Sequence, residues 1–167
     1  MKTSEFFSNT FSYKEASFSS SHYISADELL HGHEYYLTLS LQWIALNNGF
    51  NLNPNFIKSL LLEICSTFNQ KIMIPEFSID FPIEDFDDHL RINFQNIHFD
   101  FPKRNCIMLP IISTTCEELS KYFSRIILER FYQEFKSNLR IDNLRVTVAE
   151  LYQQQEGTTG ICIKSCN

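Results

Sequence analysis

From residue 33 to residue 43 the chain reads HEYYLTLSLQW, with Tyr35, Leu37, Leu39, Leu41 and Trp43 falling on one side of a two-residue period. Alternation over that length is the mark of a strand with one buried face. Residues 10–22 alternate less regularly around Phe11, Tyr13 and Phe18, and the two segments read as a strand pair. Asn47-Asn48-Gly49 breaks the pattern, and Asn53-Pro54 then supplies an N-cap with proline at the first helical position. The predicted helix carries Ile57, Leu60, Leu61, Ile64, Cys65 and Phe68 as one stripe, and Pro75 lies where it cannot continue.

A second helix is marked by a capping box, Thr114-x-x-Glu117 or Thr115-x-x-Glu118, followed by Leu119, Tyr122, Phe123, Ile126, Ile127 and Phe131 on one face, and it is expected to reach about residue 138. A strand at 143–151, the polar turn QQQEGTTG and a short strand at 160–164 close the chain. Residues 76–109 mix aromatic and acidic side chains without a sustained period and read as an inserted hairpin or excursion. The order is β-β-α-(insert)-α-β-β. It predicts an α+β domain spanning residues 1–167, a four-stranded antiparallel sheet with both helices on one face.

A formal charge of −6 with no basic stripe argues against nucleic acid and favours a small molecule or a protein partner. The five cysteines are odd in number and form no CxxC pair, which argues against a disulfide framework and predicts reduced thiols in a cytoplasmic protein. Neither a signal peptide nor a membrane span is expected, because no apolar run is long enough.

The stretch HYISADELLHGH holds three of the five histidines. His31 and His33 are two apart on a strand and share the face of Leu37, Leu39 and Leu41. His22, on the parity of Phe18, reaches them if the two strands form a hairpin. Three imidazoles with a fourth position open suit a catalytic zinc ion; the bland reading is a chance cluster of core or surface histidines. Gly32 between two of them would allow close approach of backbone or ligand.

Two carboxylates stand out. Glu28, three residues before His31, is a candidate general acid or base, or simply a solvated loop glutamate beside Asp27. Glu150 ends the apolar face Leu144, Val146, Val148, where a carboxylate is costly unless it is paired or binds something; otherwise it emerges into solvent at the strand's edge.

The text FSSSHYISADELLHGHEYYLTL resembles the opening of the 6-pyruvoyltetrahydropterin synthase and 6-carboxytetrahydropterin synthase family, with its histidine strand followed by LHGH and an alternating strand. The helix entry from Gly49 through Asn53, Ile57 and Lys58, the segment ISTTCEELSKYF and the strand VTVAEL are similar to family text in spacing. The resemblance implies a tunnelling fold assembled as trimers or stacked pairs of trimers, zinc on His22, His31 and His33, and 7,8-dihydroneopterin triphosphate as substrate. It also implies that Glu150 anchors the amino-pyrimidine edge of the pterin, with Thr114, Thr115 and Glu117 near the same ring. Zinc on the side-chain hydroxyls would make the adjacent C–H acidic, so that a base can start elimination or carbon–carbon cleavage.

Two departures from the family pattern matter. The usual cysteine base falls at Asp27, and no cysteine lies between His22 and His31. E-x-LHGH with Glu28 is instead similar to the type III relatives, which are linked to folate synthesis through 6-hydroxymethyl-7,8-dihydropterin. The family's Asp-His pair at the end of the first helix falls at Asn69-Gln70, while Asp88-His89 inside the insert offers a relocated pair. The expected activity is therefore a zinc-dependent pterin lyase with Glu28 as base. The alternatives are a zinc- and pterin-binding protein without the usual turnover and a 6-carboxytetrahydropterin synthase-like enzyme of queuosine synthesis.

Overall fold

The computed structural model describes residues 9–23, 30–46, 52–94, 97–150 and 156–162. Strand β1 (Asn9–His22) pairs antiparallel with β2 (His31–Ala45), helix α1 spans Pro54–Phe68, and short strands β3 (Lys71–Pro75), β4 (Ile83–Asp85), β5 (His89–Phe94), β6 (Ile97–Pro102) and β7 (Cys106–Leu109) follow. Helix α2 (Cys116–Phe135) and strands β8 (Leu139–Glu150) and β9 (Glu156–Cys162) complete the chain.

Both helices and the first two strands form where the sequence places them and the architecture is α+β, but β8 starts four residues before the expected 143 and β9 takes in Glu156–Gly160, which were expected as a turn. The sheet, however, has six strands in the order β7-β3-β1-β2-β8-β9, not four, because β3 and β7 add themselves in parallel beyond the end of β1. The chain can turn back there because Gln70 takes the left-handed conformation, with φ of 59°, directly after α1 stops. Residues 76–109, expected as an insert, thus follow β3 directly and end in the edge strand β7, and their middle is a separate three-stranded sheet, β4-β5-β6.

Asn53 caps α1 by accepting the backbone N–H of Asn55, and all six residues of the predicted stripe are buried. They pack with the α2 face of Leu119, Phe123, Ile127 and Phe131 on the inward row of β2 and on Leu144, Val146 and Val148 of β8. An extra residue in β1 between Tyr13 and Ala16 explains its imperfect alternation. Phe11 and Tyr13 face the core before the bulge, and Ala16, Phe18, Ser20 and His22 turn inward after it.

A second, smaller core joins the insert to the main sheet. It is built from Tyr23, Ile74, Phe81, Leu90 and Ile92, with Leu30, Phe94 and Phe101 packed against it. Strand β3 lies between the two cores, Met73 facing one and Ile74 the other.

Candidate active site

His22 and His31 are register partners at the end of the β1–β2 pair, and His33 lies two residues further along β2 on the same face. The strand parity therefore brings all three imidazoles together, with one ligand nitrogen from each lying within 4.8 Å of the others. His22 Nε2 is 3.1 Å from His31 Nε2. Two imidazole nitrogens on one tetrahedral zinc ion would stand roughly 3.3 Å apart, given zinc–nitrogen bonds of about 2.0–2.1 Å.

The surroundings of His22 fix which nitrogen faces the cluster. The Thr114 hydroxyl donates its single hydrogen to the Tyr23 carbonyl at 2.9 Å. It can therefore only accept from His22 Nδ1, 3.1 Å away, as can the Thr114 carbonyl at 3.2 Å. The Tyr35 hydroxyl is 3.2 Å from the same nitrogen and donates its hydrogen bond to the Glu150 carboxylate. Nδ1 thus carries the hydrogen, and the Nε2 lone pair points at the other imidazoles, as a metal ligand requires. Burial, and then the neighbouring His31, lowers the His22 pKa to about 4, so the ring is neutral and able to ligate at neutral pH.

Glu150 is the β8 register partner of Tyr35, beside the histidines. Its Oε1 accepts from the Cys116 thiol at 3.6 Å, whereas Oε2 is buried with no hydrogen-bond partner among the described residues. His33 Nε2 is likewise buried without a hydrogen bond among the described residues and lies within ion-pair distance of that oxygen, at 3.7 Å. Burial, and then the carboxylate, hold the Tyr35 phenol far above its usual range, so it keeps its proton. Two orphaned polar atoms facing each other mark a place where a polar ligand belongs.

The remaining expected residues are distributed unevenly. Thr115 is the N-cap of α2, accepting from the Glu118 backbone, and Glu117 is exposed in the first turn. Glu28 and Asp27 lie outside the described residues. Asn69 accepts from the Ser19 backbone at 3.0 Å and the Gln70 N–H donates to the Ser19 carbonyl at 2.7 Å, which makes the pair a joint between α1 and β1. Gln70 also lines an open cleft of about 530 Å³ with Gly32 and His33. A Cβ at Gly32 would meet the Ser21 hydroxyl at 3.3 Å, so this glycine eases strand contact. Asp88 and His89 bond to each other at 2.7 Å on the insert, among Phe86, Asp100 and Lys103. Tyr35 and Cys116 were not singled out as site residues by the sequence; Tyr35 had the parity signal, and Cys116 had only its place beside the capping box.

Compared with known families, the chain matches 6-pyruvoyl tetrahydropterin synthase over residues 12–157. The chain belongs to this family. It is 30% identical over 126 residues to a putative 6-carboxy-5,6,7,8-tetrahydropterin synthase of Methanocaldococcus jannaschii, covering 73% of this chain and 77% of that protein. Among solved structures it is similar to the 6-pyruvoyl tetrahydropterin synthase of Plasmodium vivax, with a TM-score of 0.83, 25% identity, and coverage of 94% of this chain and 99% of that one. The Plasmodium falciparum protein gives 0.81, 25%, 93% and 99%. A further Plasmodium vivax structure, 24% identical with a TM-score of 0.83 and coverage of 94% and 99%, is a catalytic-residue mutant in which glutamate is replaced by alanine. Family membership fits the tunnelling fold, and the histidine group fits a metal-dependent lyase-like protein.

Proposed function

We propose that the protein is a zinc-dependent pterin lyase that acts on the side chain of 7,8-dihydroneopterin triphosphate and releases 6-hydroxymethyl-7,8-dihydropterin for folate synthesis in the cytoplasm. The observation that carries this reading is the pairing of three convergent imidazoles with a buried carboxylate whose Oε2 lacks a donor. His22, His31 and His33 would hold the ion. Bound zinc supplies Lewis-acid polarisation of a side-chain hydroxyl, which acidifies the neighbouring C–H.

The chain's own groups do the rest. The Glu150 carboxylate accepts N–H groups of the amino-pyrimidine edge, and the Tyr35 hydroxyl and the Cys116 thiol hydrogen-bond to it and hold it in place. Thr114, Thr115 and Glu117, around the start of α2, complete the proposed contacts to the ring. Tyr35 retains its proton and is unsuited to act as base. Glu28 takes the carbon-bound proton; the catalytic glutamate of the Plasmodium vivax protein supports that assignment by analogy. A homo-oligomer, a trimer or two stacked trimers, belongs to the same proposal. Light scattering should give a mass of three or six subunits of 19.7 kDa.

The deciding experiment is to incubate zinc-loaded protein with 7,8-dihydroneopterin triphosphate and identify products by mass spectrometry. Glu28→Ala should retain zinc and lose turnover by about 10²–10⁴-fold, the range for removing a general base. His31→Ala should lose both. A carboxylated tetrahydropterin product would favour the 6-carboxytetrahydropterin synthase-like reading, which the archaeal relative supports. Zinc uptake with substrate returned unchanged would favour a binding protein, a reading supported by the use of Asn69 and Gln70 as a structural joint.

A further inference from the structure

The three-stranded insert has no evident part in the chemistry, yet its core closes around the residue that follows the first histidine. Tyr23 is 1% exposed, and its ring centroid lies 4.9 Å from Phe94 and 6.1–6.3 Å from Phe81, Phe99 and Phe101. All four phenylalanines lie within residues 81–101. The Tyr23 hydroxyl is buried without a partner among the described residues, and the contacts they make to this side chain are to its ring. Its backbone carbonyl, meanwhile, accepts the Thr114 hydroxyl hydrogen, and that hydrogen bond fixes the hydroxyl as an acceptor for His22 Nδ1, beside the Thr114 carbonyl 3.2 Å from the same nitrogen.

We propose that the insert is a positioning device for the metal site: its aromatic box grips Tyr23, and the Tyr23 carbonyl and Thr114 hydroxyl transmit that grip to the ring of His22. The proposal rests on reading His22, His31 and His33 as the metal centre. Two separate elements converge on His22 in this arrangement. The insert fixes the acceptor carbonyl, and the start of α2 brings the hydroxyl that bridges carbonyl and imidazole. If the box loosens, Tyr23 moves, the hydroxyl is free to reorient, and the Nδ1–H group that aims Nε2 loses one of its two Thr114 acceptors, keeping the carbonyl. Partners of this kind on a ligating histidine typically change metal affinity by 10–100-fold.

The test is zinc affinity of the full-length protein, measured by competition with a chromophoric chelator, alongside thermal melting. Phe94→Leu should weaken zinc binding about tenfold. Tyr23→Phe, which keeps the ring, should bind as wild type does. Phe131→Leu, in the main core, should lower the melting temperature without changing zinc affinity. Thr114→Val should weaken binding as well, and Phe94→Leu should add nothing in the Thr114→Val background, because both act along one path. Should Phe94→Leu fail to fold, Phe99→Leu on the same box takes its place. Wild-type zinc affinity in folded Phe94→Leu or Phe99→Leu, or full additivity with Thr114→Val, would overturn the positioning role while leaving the metal site standing. A wild-type protein that takes up no zinc would overturn the metal reading, and the positioning role with it.

Discussion

Glu150 is 4% exposed, one of its oxygens is held by protein donors, and the other faces His33 without a hydrogen bond. Leaving a buried acceptor unmet costs about 1–3 kcal/mol, so a ligand donor placed there recovers a penalty already present in the folded chain. Glu150→Gln keeps the shape but replaces one acceptor oxygen with a donor. It should weaken binding of a pterin about tenfold or more, measured by calorimetry, while zinc content stays at the wild-type level; equal affinity would remove Glu150 from the ligand contact. The carboxylate and the three histidines were legible in the sequence because strand parity alone puts them on the inward face. Cys116 was not, since a single cysteine at a helix start shows no spacing, and its meaning comes from β8 bringing Glu150 to it. Thr114 was expected at the ring through resemblance, and the structure places its hydroxyl on His22. The separation in sequence, 92 residues, leaves no local trace of that contact.

At the scale of elements, the start of α2 links the helix to the site. Thr115 is the N-cap, and its neighbours on either side, Thr114 and Cys116, are the residues that touch His22 and Glu150. Thr115→Ala removes the side-chain acceptor for the Glu118 N–H and should cost about 1 kcal/mol of stability, read from urea unfolding, whereas Thr115→Ser should be nearly neutral. A loss no larger than the error of the extrapolation would mean that water replaces the cap. Both helices were legible because a stripe of period 3.6 over fifteen or twenty residues and a cap at its start reinforce one another. Strands β3 and β7 were not. KIMIP and CIML are five and four residues long, too short for a period to show, and their parallel pairing is set by distant partners. The insert hid its sheet for a related reason. Strand β5 does alternate, Leu90 and Ile92 inward against Arg91 and Asn93, but it buries them in a second core that no helix stripe announces.

For the whole molecule, the histidine cluster is where otherwise separate parts meet. His22 comes from the end of β1, His31 and His33 from the start of β2, Thr114 from the approach to α2, and Tyr23 carries the insert. An unfolded chain holds none of these groups in place, so zinc binds the native state in preference and must stabilise it by mass action. With free zinc at a hundred times the dissociation constant the gain is about 2.7 kcal/mol, which in a domain of this size raises the melting temperature by roughly 5–10 °C. Removing metal with a chelator should reverse the shift, and zinc should restore it. Magnesium at the same concentration should not, because imidazole nitrogens suit zinc and oxygen ligands suit magnesium. His31→Ala supplies the control: its melting temperature should be the same with and without zinc. A wild-type melt that zinc leaves unmoved would mean that the three rings pack against one another as core aromatics, their T-shaped contacts at 4.6–5.2 Å being enough to hold them. A shift in the wild type that disappears in His31→Ala would instead tie the stability of the fold to one ion held between β1 and β2, the two strands that supply the ligand histidines.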